Sequence, residues 1–166
     1  MRKLILAALI SLPLPFPTLS LAGQNEVRQL IEQCTPPSHW KIMSKIVEVE
    51  SSGHPYAIGV GGKSFFFKHK DEAEAKIREL TSLGTNFDIG LAQINSQHFK
   101  KGRVFALRGF SVVDALDPCT NLKMGAYILS DAYRRHQGDL VASLSVYNTG
   151  HPEKGLLNGY VEKYIP

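Results

Sequence analysis

The residue with the most chemical potential is a glutamate on what reads as the buried side of a helix. Trp40 to Gly53 runs WKIMSKIVEVESSG. At about 100° per residue, Trp40, Met43, Ile46 and Val47 fall in one apolar sector, and Glu50 projects into its middle. Glu48 falls on the other side with Lys41, Ser44 and Lys45, so the two glutamates are not equivalent. A carboxyl group withdrawn from water resists ionisation, and its pKa rises. Such a group still holds a proton near neutrality and can serve as a general acid. The same placement also fits a structural Glu paired with an Arg or a backbone N–H, so the helix alone leaves both readings open.

A second stretch, Asn86 to Asn95 (NFDIGLAQIN), places two amides, Gln93 and Asn95, at i, i+2. In an extended segment they point to one side. Side-chain amides donate and accept at once, which suits N-acetyl groups and sugar hydroxyls. A turn with routine backbone hydrogen bonds fits this stretch as well. Tyr147, at the end of a later apolar helix, is compatible with ordinary core packing. The GGKS at Gly61 to Ser64 is not a phosphate loop. The first glycine of that motif would fall at Ala57, and a run of phenylalanines follows where a helix should start.

The elements that must position these groups follow from caps and breakers. A short helix covers Gly23 to Cys34, and Pro36-Pro37 stops it. Ser38 is the expected N-cap of the Glu50 helix and Gly53 its C′ residue. Ser64 to Phe67 reads as a strand in a small hairpin around Gly61 and Gly62. Asp71 to Leu83 is a helix with Ala73, Ile77 and Leu80 on one face and an acid at its positive end. After a connecting region, Asp117-Pro118 opens a helix as N-cap and N1. It runs to about His136, with Cys119, Leu122, Ala126, Leu129, Ala132 and Tyr133 on one face. Asp139 caps the helix that ends at Tyr147-Asn148-Thr149-Gly150. The Gly-punctuated tail, 151–166, is expected to lie loosely over the domain.

The 166 residues suit one compact domain, with ordinary globular proportions of 43% hydrophobic and 20% charged residues. Residues 1–22 stand apart: Arg2 and Lys3, an apolar run from Leu4 to Leu12 too short for a membrane span, prolines, then Ser20-Leu21-Ala22 with small residues at −3 and −1. This is a secretory signal cleaved after Ala22, which leaves 23–166 as the mature domain, periplasmic and without a stable membrane span. Removing it lowers the basic count from 19 to 17 against 15 acids. That surplus is too weak, and too little interleaved with aromatics, to argue for nucleic acid. The two cysteines, Cys34 and Cys119, are in an exported chain most simply one disulfide. They are too far apart for a CxxC motif, and the histidines show no metal-ligand spacing, so neither a metal nor a cofactor is expected.

Four stretches in register resemble one family. They are Glu50-Ser51 with Pro55 and Ala57; Gly90-Leu91-Ala92-Gln93-Ile94-Asn95; Asp117 to Leu129 (DPCTNLKMGAYIL); and Tyr147-Asn148-Thr149-Gly150. Together the chain resembles the lytic transglycosylases with a soluble-lytic, goose-lysozyme-like domain. The cysteine pair, NFDIGLAQIN and the closing Gly159-Tyr160-Val161 resemble the small members that accompany type IV secretion and conjugation systems. Enzymes of type III secretion and invasion loci look similar. Two positions depart from the family pattern: Gly59 stands where many members have a serine, and Ala92 where a Met is usual. Both fall where substrate contact is expected.

The resemblance implies an α+β, mainly α-helical, lysozyme-like fold with a small β-hairpin region. It also implies cleavage of the MurNAc–GlcNAc bond of peptidoglycan, ending in a 1,6-anhydro sugar. Glu50 is then the catalytic acid/base, with Gln93, Tyr147, Asn148 and Ser51 as substrate contacts and Tyr147 helping to orient Glu50. The expected partners are peptidoglycan glycan strands and components of a secretion or conjugation apparatus. Asp88 reads as a structural turn residue. If it faced the scissile bond, a hydrolytic, lysozyme-like muramidase would become the outcome, because conventional glycosidases use two carboxylates. The contrasting class is a non-catalytic peptidoglycan-binding assembly factor. An ionisable group on a buried face is of little use to a pure binder.

Overall fold

The computed structural model describes residues 21–165. The expected leader therefore lies outside the described residues except for Leu21 and Ala22, which open the first helix, α1 (Leu21–Cys34). Five further helices follow: α2 (Trp40–Ser51), α3 (Lys70–Ser82), α4 (Pro118–Arg135), α5 (Leu140–Thr149) and α6 (Lys154–Leu157). Four short strands, β1 (Ala57–Val60), β2 (Lys63–Phe66), β3 (Asp88–Ile89) and β4 (Ile94–Asn95), form one antiparallel sheet in the order β2-β1-β3-β4. The mainly helical α+β class expected from the sequence is what is found. Among the described residues no helix is long and apolar enough to cross a membrane.

The core forms where the apolar stripes of the helices meet one face of the sheet. Met43, Ile46 and Val47 of α2 pack with Leu122 and Leu129 of α4, Leu144 of α5, and Ile58, Ile89 and Ile94 of the sheet. Strand pairing sets Ile58 against Ile89 and Ile89 against Ile94, so these three form a row on the core face. The adjacent row, Gly59–Asp88–Asn95, must face the other way, since successive residues alternate across a strand. That alternation brings Asp88 and Asn95 out of the core and onto a cleft wall.

The starts of α4 and α5 follow the cap residues expected from the sequence. Asp117 accepts from Thr120 N at 2.8 Å and Asp139 from Ala142 N at 3.0 Å, each closing an orphan N–H at a helix start. The N-cap of α2 is a correction. Pro37–His39 form a 3-10 turn that runs directly into the helix, so His39, with no capping side chain, occupies the place expected for Ser38. Trp40 also differs. It is 36% exposed, because it sits in the first turn beyond the core and ties its indole Nε1 to Thr35 O at 3.0 Å. At the other end Ser52 and Gly53 both take positive φ and turn the chain away after Ser51.

Cys34 and Cys119 are bonded, with Cα atoms 5.3 Å apart across 85 residues of sequence. The bond fastens the end of α1 to the start of α4.

The tail does not lie loosely. Tyr160 and Val161 are 5% and 1% exposed, and α6 sits close enough to α5 for Gly155 N to donate to Ser145 Oγ at 2.7 Å. Tyr160, Val161 and the partly buried Tyr164 pack against the core, too few apolar side chains to show as a periodic pattern.

Candidate functional site

Glu50 lies in the last turn of α2, one residue before the helix ends, on the wall of a cleft of about 600 Å³. The sheet face contributes Asp88 and Asn95 to the same cleft, the turn between β3 and β4 contributes Gln93, and α5 contributes Tyr147 and Asn148. A larger hollow of about 1000 Å³ lies along α2, α4 and the start of α5 and is lined by Ile42, Leu129, Tyr133 and Leu140. It has the volume but lacks Glu50 and the convergent amides, so the smaller cleft is the candidate site.

Burial pushes the Glu50 carboxyl up from an ordinary 4.5 to about 7. A hydrogen bond from the Tyr160 hydroxyl to Glu50 Oε1 opposes this, the charge of Asp88 adds to the rise, and Lys163 lowers it. Tyr160 in turn meets Tyr164, hydroxyl to hydroxyl at 2.6 Å, with the rings 5.1 Å apart. Burial and the nearby Glu50 charge hold the Tyr160 phenol well above its ordinary range, so it stays a donor at any physiological pH. Glu48 faces solvent and pairs with Lys45 at 2.9 Å, as the helix phase predicts.

Asp88 is also pushed up by burial and pulled back by Asn95, whose Nδ2 donates to Asp88 Oδ1 at 2.8 Å. The two are direct partners across β3 and β4. Asp88 is thus a cleft residue, and its hydrogen bond spans strands, not the local turn.

The amide of Gln93 reaches the cleft by a different route from the one an extended segment predicts. Gly90–Gln93 is a turn closed by Gln93 N to Gly90 O at 3.2 Å, and Gln93 itself has φ of +45°. Its Nε2 donates to Gly90 O at 2.8 Å and to Ala57 O at 3.2 Å, which lays the side chain across Gly59. A Cβ at Gly59 would sit 2.6 Å from Gln93 Oε1. Gly90 needs its own missing side chain. It has φ of +74°, and a Cβ there would lie 2.4 Å from Asn121 Nδ2.

Ser51 and Ala92 do not face the cleft. Ser51 is 2% exposed and donates to Leu91 O at 2.8 Å, so it clamps the end of α2 to the turn. Ala92 is fully buried, and a Cβ at Gly125 would stand 2.8 Å from the Ala92 Cβ, so the turn rests directly on α4. Tyr147 lines the cleft, but its hydroxyl donates to Ala92 O at 2.7 Å and not to Glu50. Asn148 lines the exposed rim, where its Oδ1 accepts from Asn158 Nδ2 at 3.2 Å. Among the described residues no three His, Cys, Asp or Glu side chains converge as a metal site would require.

The Transglycosylase SLT domain family model matches residues 30–163. The chain belongs to this family. Among curated relatives, the type IV secretion system protein virB1 of Brucella abortus and that of Brucella suis are each 37% identical over 151 residues, covering 82% of this chain and 61% of theirs. Protein virB1 of Agrobacterium fabrum is 29% identical over 146 residues, covering 83% of this chain and 57% of its own. The chain therefore spans about 60% of the length of the curated relatives it matches. No solved structure gives a significant match.

Within the SLT domain, two site residues have roles that the sequence does not announce. Tyr160 stands in the closing Gly159-Tyr160-Val161, which carries the resemblance but gives no sign that its hydroxyl returns to a helix 110 residues earlier. Asn121 is the second. It is fully buried, accepts from Ala92 N at 2.8 Å, and donates to Ile89 O and Ala115 O, both at 2.8 Å. A faint signal exists for it: an Asn beside Leu122 on the buried side of a helix demands partners for its amide.

Proposed function

We propose that this SLT domain is a lytic transglycosylase that cleaves the MurNAc–GlcNAc bond of peptidoglycan with Glu50 as its sole acid/base. The observation that carries the reading is Glu50 itself, buried enough to titrate at about 7 and set in the wall of an open cleft lined with amides. Protonated Glu50 gives its proton to the glycosidic oxygen as the bond to C1 breaks, and the substrate's 2-acetamido group stabilises the cationic carbon. Glu50, now a carboxylate, takes the proton from the muramoyl 6-hydroxyl, whose oxygen closes on C1. The product is a 1,6-anhydro sugar, and no water is consumed. Tyr160 orients the carboxyl and donates to it in both protonation states. Gln93 and Asn148 offer amide groups to N-acetyl and hydroxyl groups, while Tyr147 shapes the wall and anchors the turn that carries Gln93. Ser51 acts through that same turn.

The Brucella relatives named for type IV secretion support a role beside a secretion or conjugation apparatus, and the leader at 1–22 would deliver the domain to the periplasm, where local opening of the wall would let that apparatus pass. A second reading is a hydrolase. Asp88 shares the cleft with Glu50 and adds to the rise of its pKa, so a water activated by Asp88 would give the lysozyme-like outcome.

Mass spectrometry of muropeptides released from purified peptidoglycan separates the readings. Anhydromuramoyl products from the mature protein, and none from Glu50→Gln, are expected. Reducing-end products one water heavier would replace the transglycosylase with the hydrolase. Release of neither, in an assay where a known transglycosylase works, would leave a binding or assembly role.

A further inference from the structure

The cleft holds two acids, Glu50 and Asp88, and a single permanent cation among its described residues, Arg135. Arg135 ends α4, and Ile128, seven residues earlier, lines the same cleft. Residues at i, i+7 share a helix face, so the direction of Arg135 follows from the phase of α4. Asp131 takes the Nε side of Arg135 at 2.9 Å and also pairs with Arg134 Nη2 at 2.6 Å. One carboxylate between two guanidiniums leaves a net positive charge on this wall. Neither Nη nitrogen of Arg135 donates a hydrogen bond to a side chain or backbone group among the described residues, and the side chain is 58% exposed.

A cation at the helix C-terminus has a structural explanation in the helix dipole. That explanation applies equally to Arg134, which does not line the cleft. The glycan rings of peptidoglycan are uncharged. What is anionic in the strand is borne on the muramoyl C3 ether: the lactyl carboxylate where the peptide has been removed, or the carboxylates of the stem peptide where it is present. We propose that Arg135 is a specificity residue that pairs with a carboxylate carried by the muramoyl side arm, through the Nη fork that Asp131 leaves open. The inference rests on the reading of the cleft as a glycan site.

The test is binding to the mature Glu50→Gln protein, with and without Arg135→Gln, so that no probe is consumed. Four probes are used: a chitin hexasaccharide without carboxylates, a glycan strand stripped of peptides, a peptide-bearing strand, and that strand with its carboxylates amidated. Arg135→Gln is expected to weaken at least one of the two carboxylate-bearing strands about tenfold and to leave the chitin oligomer unchanged. A loss confined to the stripped strand, in which the lactyl carboxylate is no longer bound as an amide to the peptide, assigns the lactyl carboxylate. A loss confined to the peptide-bearing strand, absent once it is amidated, assigns the stem peptide. Arg135→Lys should recover part of the affinity, which a purely packing role would not. Equal loss on all four probes, or no loss on any, overturns the proposal while leaving the glycan cleft standing. No binding of any probe by Glu50→Gln overturns both.

Discussion

The Glu50 carboxyl carries the cost of its own function. Its proton affinity is raised from 4.5 to about 7 in the folded chain. The folded state therefore binds a proton that the unfolded state has already lost between those values, and stability falls as pH rises through that window. The shift corresponds to about 3 kcal/mol of destabilisation, fully present above pH 7 and absent below pH 4. Glu50→Gln is expected to be inactive, yet more stable than the parent at pH 8 and equal to it near pH 4, as chemical denaturation at the two pH values would read. The acid must be protonated to act, so kcat/KM is expected to fall as pH rises through about 7. Tyr160 donates to the carboxylate and favours its ionised form. Tyr160→Phe should lower the rate by loosening the carboxyl and, at the same time, move the alkaline limb to higher pH. A rate loss with an unmoved limb would mean that the hydrogen bond does not reach the titrating group. Gly59 is constrained by space and not by backbone conformation. Gly59→Ser would drive a Cβ against Gln93 Oε1 and displace an amide held by Ala57 O and Gly90 O. The expected result is a severalfold higher KM with about 1 kcal/mol of lost stability, measured by steady-state cleavage and thermal melts.

At the scale of elements, the turn that carries Gln93 is held by α4. Strands β3 and β4 are only two residues each, too short to hold a turn by pairing alone. Asn121 supplies what they lack, with three hydrogen bonds into Ile89, Ala92 and the segment before α4. Asn121→Ala would leave buried backbone groups unpaired and is expected to cost about 3 kcal/mol, with activity lost more steeply than the melting temperature suggests. A melt shifted by several degrees with unchanged KM would limit Asn121 to a structural part. The elements with regular periodicity, strong caps or both, α2, α3 and α4, are legible in the sequence. So is the Gly61–Gly62 hairpin. The turn is not, because Gln93 at positive φ is sustained by contacts with α4 and β1, and no local signal carries those. Ser51 and Ala92 depart from the expected substrate contact for a related reason. Adjacency to a site residue along the chain says nothing about facing the same way, and both turn inward to pack.

Across the whole molecule, the acid is assembled from the two ends of the fold. Glu50 comes from the second helix, and its hydrogen-bond partner comes from the final turn. Tyr164, which supports Tyr160, lies just past the residues matched by the family model. The two cysteines point to a link between the halves of the chain, and the Cys34–Cys119 bond provides it. The role of the tail is illegible in the sequence because its information is three buried residues, Gly155, Tyr160 and Val161, and two hydroxyls in a glycine-punctuated stretch. Ending the chain at Leu157 tests this role directly. The truncation retains Glu50, the sheet wall, Gln93 and all of α5, so a tail that merely covered the domain would leave cleavage intact. It removes Tyr160, Val161 and Tyr164, exposing the apolar surface they bury and leaving Glu50 without its donor. With buried apolar side chains stabilising a fold by about 1.5–3 kcal/mol each, the shortened protein is expected to melt markedly lower and to release almost no anhydromuropeptide. A chain extended only to Tyr160 should recover part of the rate, since it restores the hydroxyl on Glu50 without its Tyr164 support. Full activity of the Leu157 truncation would return Tyr160 to a packing role and leave Glu50 dependent on burial alone.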